Sequence, residues 1–369
     1  MKTRVLLTAS VLLSVCAVPR VVSAWDRGRV DTFAVLPEGS GGPEGLEIDH
    51  RGNVYVGSFG ITSQGPLTGS GRIFVFDRKG KLLREVTVAG STAQLLGLRW
   101  RASTETLLVV DNGGRKVLEV NPLTGASTTF MTFPLPADAS SSPNDITFDK
   151  AGNVYVSDSA QGTIWRTGKD GGTATAWVEN EPLLQTTGVP PFGANGLRFN
   201  HGETALFVAN TGNDTIVKIP VTGGSPATTG APGDAEIFVN SVNGADGLII
   251  DRDDNLWVVA NQADEIVVID PTGKAISKLG DFDGVRHGKP RGLLFPASLR
   301  FFGDRLLVTN LSLDLRLFNP AFQTVDSQWC AMITRYTVAI LPARILGFDG
   351  GGRDGHDGRD DDHHDRDDD

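Results

Sequence analysis

Ala245-Asp246-Gly247-Leu248-Ile249-Ile250-Asp251-Arg252-Asp253-Asp254-Asn255-Leu256-Trp257-Val258 contains an apolar strand, a polar turn and a second apolar strand. Short apolar runs bounded by Gly, Asp and Asn read as a β-hairpin. The pattern is not confined to this stretch. First strands begin at Gly45, Gly97, Asp145, Gly196, Gly247 and Ser298, so successive units lie 52, 48, 51, 51 and 51 residues apart. Second strands follow each time: Val54-Tyr55-Val56, Leu107-Leu108-Val109, Val154-Tyr155-Val156, Leu206-Phe207-Val208, Leu256-Trp257-Val258 and Leu306-Leu307-Val308. Third strands such as Ile73 to Asp77 and Ile266 to Asp270 come next. Gly-Asn pairs such as Gly52-Asn53 and Gly152-Asn153 supply the hairpin turns and need no functional role.

Six β units of one length cannot each bury both faces alone, but arranged radially they can. The predicted fold is all-β: a six-bladed β-propeller with four-stranded blades around a central channel. Asp31 to Leu36 would supply the strand that closes the ring, and Arg335 to Ile345 belongs to the same closure.

Composition agrees. A chain of 369 residues could hold two or three domains, yet 45 Gly, 19 Pro, 40% hydrophobic and 21% charged residues describe short strands and tight turns. This excludes a coiled coil, a collagen, a multi-span membrane protein and a wholly disordered chain. The net charge of −10 argues against nucleic acid as partner, since phosphate contact needs a basic face. Residues 1–24 read as a secretory signal: Lys2 and Arg4, an apolar run from Val5 to Val18, then Val22-Ser23-Ala24 for cleavage. That run is too short to span a bilayer. The mature chain would be secreted, periplasmic or extracellular, with no membrane span. Residues 349–369 form an acidic Asp/His/Gly tail that cannot fund a core, and residues 25–348 remain as one propeller. Only Cys330 survives cleavage, in a segment expected to be strand-like, so no internal disulfide is expected.

One repeat position carries chemistry. Immediately before the six first strands stand Glu44, Leu96, Asn144, Asn195, Asp246 and Ala297. Parallel first strands around a channel place these residues in a ring at one mouth. Two carboxylates and two amide oxygens converging there suit a hard divalent cation, calcium above all, whereas zinc would call for His or Cys. His50, His201 and His287 are scattered. A second polar set, Asp111, Asp158, Asn210 and Asn310, ends the second strands; capping of the following loops is its plainer role, with Asp158 and Asn210 as candidates to reach substrate.

Pro43-Glu44-Gly45-Leu46, Pro143-Asn144-Asp145-Ile146, Ala194-Asn195-Gly196-Leu197 and Ala245-Asp246-Gly247-Leu248 together resemble the metal-site motifs of the SMP-30/gluconolactonase/LRE-like family. The resemblance covers nearly the whole mature chain except the tail. It implies one divalent ion, usually calcium, at the channel mouth, and hydrolysis of lactones or related esters. By the same resemblance Glu44, Asn195 and Asp246 would be the core ligands. Asn144 would touch substrate or the ion directly, and Asp246 would double as the base that activates water. Two departures matter. Sugar-lactone members usually carry an Arg two residues before the third-blade Asn, where this chain has Ser142, and Gly45 stands where a second buried ion would need an acid. The competing expectation is a non-catalytic propeller of the NHL type that binds a ligand or protein partner.

Overall fold

The computed structural model describes residues 27–135, 140–223 and 230–345; the predicted signal segment and acidic tail lie outside the described residues. The six hairpin units form six antiparallel sheets, each with its first strand innermost and its later strands stepping outward. Blade 1 runs Pro43–Ile48, Val54–Ser58, Arg72–Phe76 and Leu82–Thr87. Blade 2 begins at Leu95–Arg101, blade 3 at Pro143–Phe148, blade 4 at Ala194–Phe199, blade 5 at Ala245–Ile250 and blade 6 at Pro296–Phe302. Blade 6 takes its outermost strand from the other end of the chain: Asp31–Val35 pairs antiparallel with Thr337–Pro342. The ring closes as the sequence predicts.

Second strands read Val-Tyr-Val or Leu-Leu-Val because both of their faces are covered by neighbouring blades, and Val54, Val56, Leu107, Leu108 and Val109 are fully buried. Aromatic pairs seal alternate blade interfaces. Tyr55 stacks on Trp100 at 5.6 Å, Tyr155 meets Phe199 edge-on at 4.9 Å, and Trp257 meets Phe301 edge-on at 5.5 Å.

All six first strands break register at one place: the pairing skips between Pro43 and Leu46, Leu95 and Leu98, Pro143 and Ile146, Ala194 and Leu197, Ala245 and Leu248, and Pro296 and Leu299. The ring residues therefore lie inside the strands, at a bulge, rather than immediately before them. A bulge re-aims side chains. The glycines that follow have a steric reason here. A Cβ on Gly45 would sit 2.1 Å from the Leu96 carbonyl oxygen, and one on Gly196 would sit 2.4 Å from that of Asp246. Neighbouring first strands approach too closely for any side chain at these points.

Between the second and third strands of blade 6, residues 311–336 form an insertion with a 3-10 turn at Leu315–Leu317 and a one-turn helix at Ser327–Cys330. Cys330 is buried in that helix, not in a strand as expected, because Asp326 and Ser327 accept the backbone N–H groups that would otherwise extend. No helix among the described residues is long and apolar enough to cross a membrane.

Candidate metal centre at the channel mouth

The shared bulge brings Glu44, Asn144, Asn195 and Asp246 together in one small cavity of about 30 Å³ that opens to solvent. Leu96 lines the same cavity. The amide groups are oriented by second-strand residues: Asn144 Nδ2 donates to Ser159 Oγ at 3.1 Å, and Asn195 Nδ2 donates to Thr211 Oγ1 at 2.9 Å. With the nitrogens held from behind, the amide oxygens are presented to the cavity.

Sequence reasoning missed one polar member. Asn261, at 1% exposure, donates from Nδ2 to Asp246 Oδ2 at 3.1 Å, and its own oxygen accepts no hydrogen bond from the described residues. Gly244 makes room for it, since a Cβ there would fall 1.9 Å from Asn261 Oδ1. The signal was present in the repeat. One residue beyond Asp158, Asn210 and their equivalents come Phe59, Asn112, Ser159, Thr211, Asn261 and Leu311, and these face the mouth or orient the ring.

Asp158 and Asn210 themselves are fully buried and do not line the cavity. Asp158 accepts from Ser142 N at 2.9 Å, Ser141 Oγ at 2.7 Å and Ala160 N at 3.1 Å. Asn210 donates to the Leu183 and Gln185 carbonyls at 2.8 and 2.9 Å. Both hold loops here, the plainer of the two roles expected of them, as Asp111 and Asn310 also do. The strand's period of two explains the difference: adjacent residues face opposite sides, so the mouth-facing register is the neighbouring one.

Four buried oxygens at the mouth accept no hydrogen bond from the described residues: Glu44 Oε2, Asn144 Oδ1, Asp246 Oδ1 and Asn261 Oδ1. Burial of unsatisfied polar atoms is costly, and four in one cavity need a common reason. The electrostatics agree. Burial, then the negative charges of Asp246 and Asp145, hold the Glu44 carboxyl well above its usual range. Burial pushes Asp246 up to about 7, opposed by the Asn261 hydrogen bond and reinforced by Asp145. A cation among these oxygens would satisfy the acceptors and relieve the repulsion together. No group of three or more His, Cys, Asp or Glu side chains suited to a metal occurs among the described residues, so the donors here are two carboxylates and amide oxygens. That mixture fits a hard ion such as calcium.

Deeper in the channel the charges are paired. Arg198 meets Asp145 at 2.8 Å, and Arg99 and Arg300 meet Glu47 at 3.3 and 3.6 Å. Of the channel's acids, the unpaired ones are thus Glu44 and Asp246 at the mouth. Above it, Phe59, Phe192, Phe295, Leu311 and Leu313 complete the wall. Of the loops 60–70 and 181–192, only Phe192 contributes a wall residue.

Solved structures of the same architecture include a luciferin-regenerating enzyme, 17% identical over 88% of this chain and 98% of its own, with a TM-score of 0.59. Regucalcin from Agrobacterium tumefaciens, described as a calcium-binding protein, is 16% identical over 87% of this chain and 96% of its own, with a TM-score of 0.57. A gluconolactonase from Xanthomonas campestris is 15% identical over 86% of this chain and 90% of its own, with a TM-score of 0.56. These likenesses establish the propeller fold. No curated protein matches the sequence significantly. The profile of the SMP-30/gluconolactonase/LRE-like region matches residues 90–280, just over half the chain. The chain belongs to the SMP-30/gluconolactonase/LRE-like family.

Proposed function

We propose that the protein is a secreted, calcium-dependent hydrolase of lactones or related esters. The observation that carries this reading is the set of four unsatisfied oxygens at the mouth, on Glu44, Asn144, Asp246 and Asn261. A binding scaffold gains nothing from keeping them buried. Glu44, Asn195 and Asp246 would hold the ion, with Asn261 as an added oxygen and Asn144 touching the ion or the substrate. Bound calcium polarises a carbonyl oxygen and lowers the pKa of adjacent water. Asp246 would double as ligand and base, taking a proton from the attacking water while Asn261 Nδ2 donates to its Oδ2. Addition of that water to the carbonyl carbon would give a tetrahedral intermediate, whose collapse breaks the ring C–O bond, and the proton taken by Asp246 would pass to the leaving alkoxide to give a hydroxy acid.

The test is a pH-stat assay of the purified protein on a panel of lactones and aryl esters, after chelation and again after calcium is restored. The reading expects turnover that disappears on chelation and returns with calcium. No turnover in any condition would leave a binding propeller instead. Secretion is tested separately, by expression with the native leader. The released protein should begin at Trp25; retention of an intact leader in the cell would contradict the signal assignment.

A further inference from the structure

The mouth is chemically divided. Its oxygen donors come mostly from blades 3 to 5, as Asn144, Asn195, Asp246 and Asn261, with Glu44 alone from blade 1. Facing them is an apolar arc. Phe59 follows the second strand of blade 1, Leu96 takes the ring position of blade 2, and Phe295, Leu311 and Leu313 flank the strands of blade 6. These five side chains are buried. Phe192, on the connection from blade 3 to blade 4, meets Phe318 of the blade 6 insertion edge-on at 6.0 Å and so joins the arc from the other side of the mouth; Phe318 and its neighbour Leu317 are 44% and 41% exposed.

Hydrogen-bond donors free to meet a polyhydroxylated ligand are few, with Ser142 supplying the lining hydroxyl. None of the lining residues is Lys, Arg or His. The amide nitrogens of Asn144, Asn195 and Asn261 are engaged by Ser159, Thr211 and Asp246. Asn112 spends its amide on Ser142 Oγ at 2.9 Å and the Pro143 carbonyl at 3.0 Å. A sugar lactone would bury hydroxyls against Phe and Leu without partners, which costs free energy for each one. An alkyl or aryl substituent on the same arc would gain from leaving water.

We infer that the substrates are neutral lactones or esters with an apolar substituent, the carbonyl end toward the oxygen donors and the alkyl or aryl end on the arc of Phe59, Leu96, Phe192, Phe295, Leu311 and Leu313. The inference rests on the hydrolase reading for its reaction, but not for its ligand class.

Two measurements keep these apart. In the first, the calcium-loaded mature protein is assayed on γ-butyrolactone, γ-hexalactone, γ-octalactone, γ-decalactone and D-glucono-1,5-lactone. The expected kcat/KM rises along the alkyl series, by up to about fourfold per methylene buried. Gluconolactone should lie at least about 100-fold below γ-octalactone, as an accumulated loss of buried methylenes and unpaired hydroxyls predicts. In the second, 2-alkylcyclopentanones, which keep the carbonyl and cannot be hydrolysed, are titrated calorimetrically. Their Kd should fall along the same series, and Phe192→Ser should flatten that slope. A flat series, or gluconolactone as the better substrate, overturns the apolar class while leaving the hydrolase standing. Chain-length-dependent cyclopentanone binding without hydrolysis of any lactone upholds the apolar class and removes the hydrolase. Neither binding nor turnover overturns both.

Discussion

The two ends of the channel use the same side-chain types to opposite effect. At the hairpin end, Asp49 is 7% exposed and accepts from Arg51 N, Asn53 N, Asn53 Nδ2 and Tyr55 Oη at 2.9, 2.8, 2.7 and 3.0 Å. Asp149 repeats this with Asn153 and Tyr155, and Asp251 with Asn255 and Trp257. At the mouth, Glu44 and Asp246 are as deeply buried, at 6% and 4%, yet each has an oxygen without a donor. The consequence is visible in their acidity. Burial alone would raise Asp49, but the hydrogen bonds led by the Asn53 side chain leave it below its ordinary value. Glu44 and Asp246 are held above theirs. Burial does not distinguish a structural acid from a ligand-holding one. Satisfaction does.

If that distinction is right, mutations at the two ends separate activity from stability. The largest effect should come from Asp246→Ala, which removes a ligand and the base together and should lower kcat/KM on the best lactone by about a thousandfold or more. Far-ultraviolet circular dichroism should be unchanged. Asp49→Ala should do the reverse. It strands four donors at a blade corner and should cost roughly 2–4 kcal/mol in denaturant unfolding while leaving kcat/KM within about twofold. Loss of activity in Asp49→Ala at full folding, or loss of folding in Asp246→Ala, would break the comparison.

Much of this division was legible in the sequence, and the part that was not has a physical cause. Fifty-residue periodicity exposed the blades because every blade must bury the same faces, and the ring residues Glu44, Asn144, Asn195 and Asp246 stood at one phase of it. The bulge that aims them leaves no compositional mark beyond the glycine that follows Glu44, Asn195 and Asp246. On the second strands, polarity pointed to Asp158 and Asn210, one residue short of the mouth-facing register of Ser159, Thr211 and Asn261. Their chemistry is as polar, so only parity separates them, and parity depends on strand pairing. The apolar arc was hidden further, because Phe192, Phe295 and Leu313 lie on connections and an insertion that no repeat describes.

A smaller effect concerns the fold without metal. Because the two mouth acids are raised by burial and by the charge of neighbouring carboxylates, Asp145 among them, Asp246→Asn should stabilise the chelated protein, by about 1 kcal/mol, where the same change at Asp49 destabilises it. Thermal unfolding after chelation checks the sign; a fall in Tm for Asp246→Asn would contradict it.

The smallest and most diagnostic effect is the pH dependence. A carboxyl raised in the folded state adds stability that is fully present below its unfolded value of about 4. For Asp246 that contribution is lost as pH rises to about 7. The chelated protein should therefore lose stability between pH 4 and 7. Calcium needs the carboxylate, so its own stabilisation should grow over the same interval. The difference in Tm with and without calcium at each pH isolates the mouth from Asp264 and Asp326, a second buried acid pair raised to about 8 and about 6. A calcium-induced shift that does not change from pH 4 to 7 would place the ion elsewhere.

The central claim is that the unsatisfied oxygens at the mouth hold the metal. Isothermal titration of the chelated protein with calcium, in the wild type, Glu44→Gln, Asp246→Asn and Asp49→Asn, tests it most directly. The account predicts about one ion per chain in the wild type and in Asp49→Asn, and affinity weakened at least about tenfold in both mouth variants. Absence of calcium binding in the wild type, or unchanged affinity in Glu44→Gln and Asp246→Asn, would contradict it.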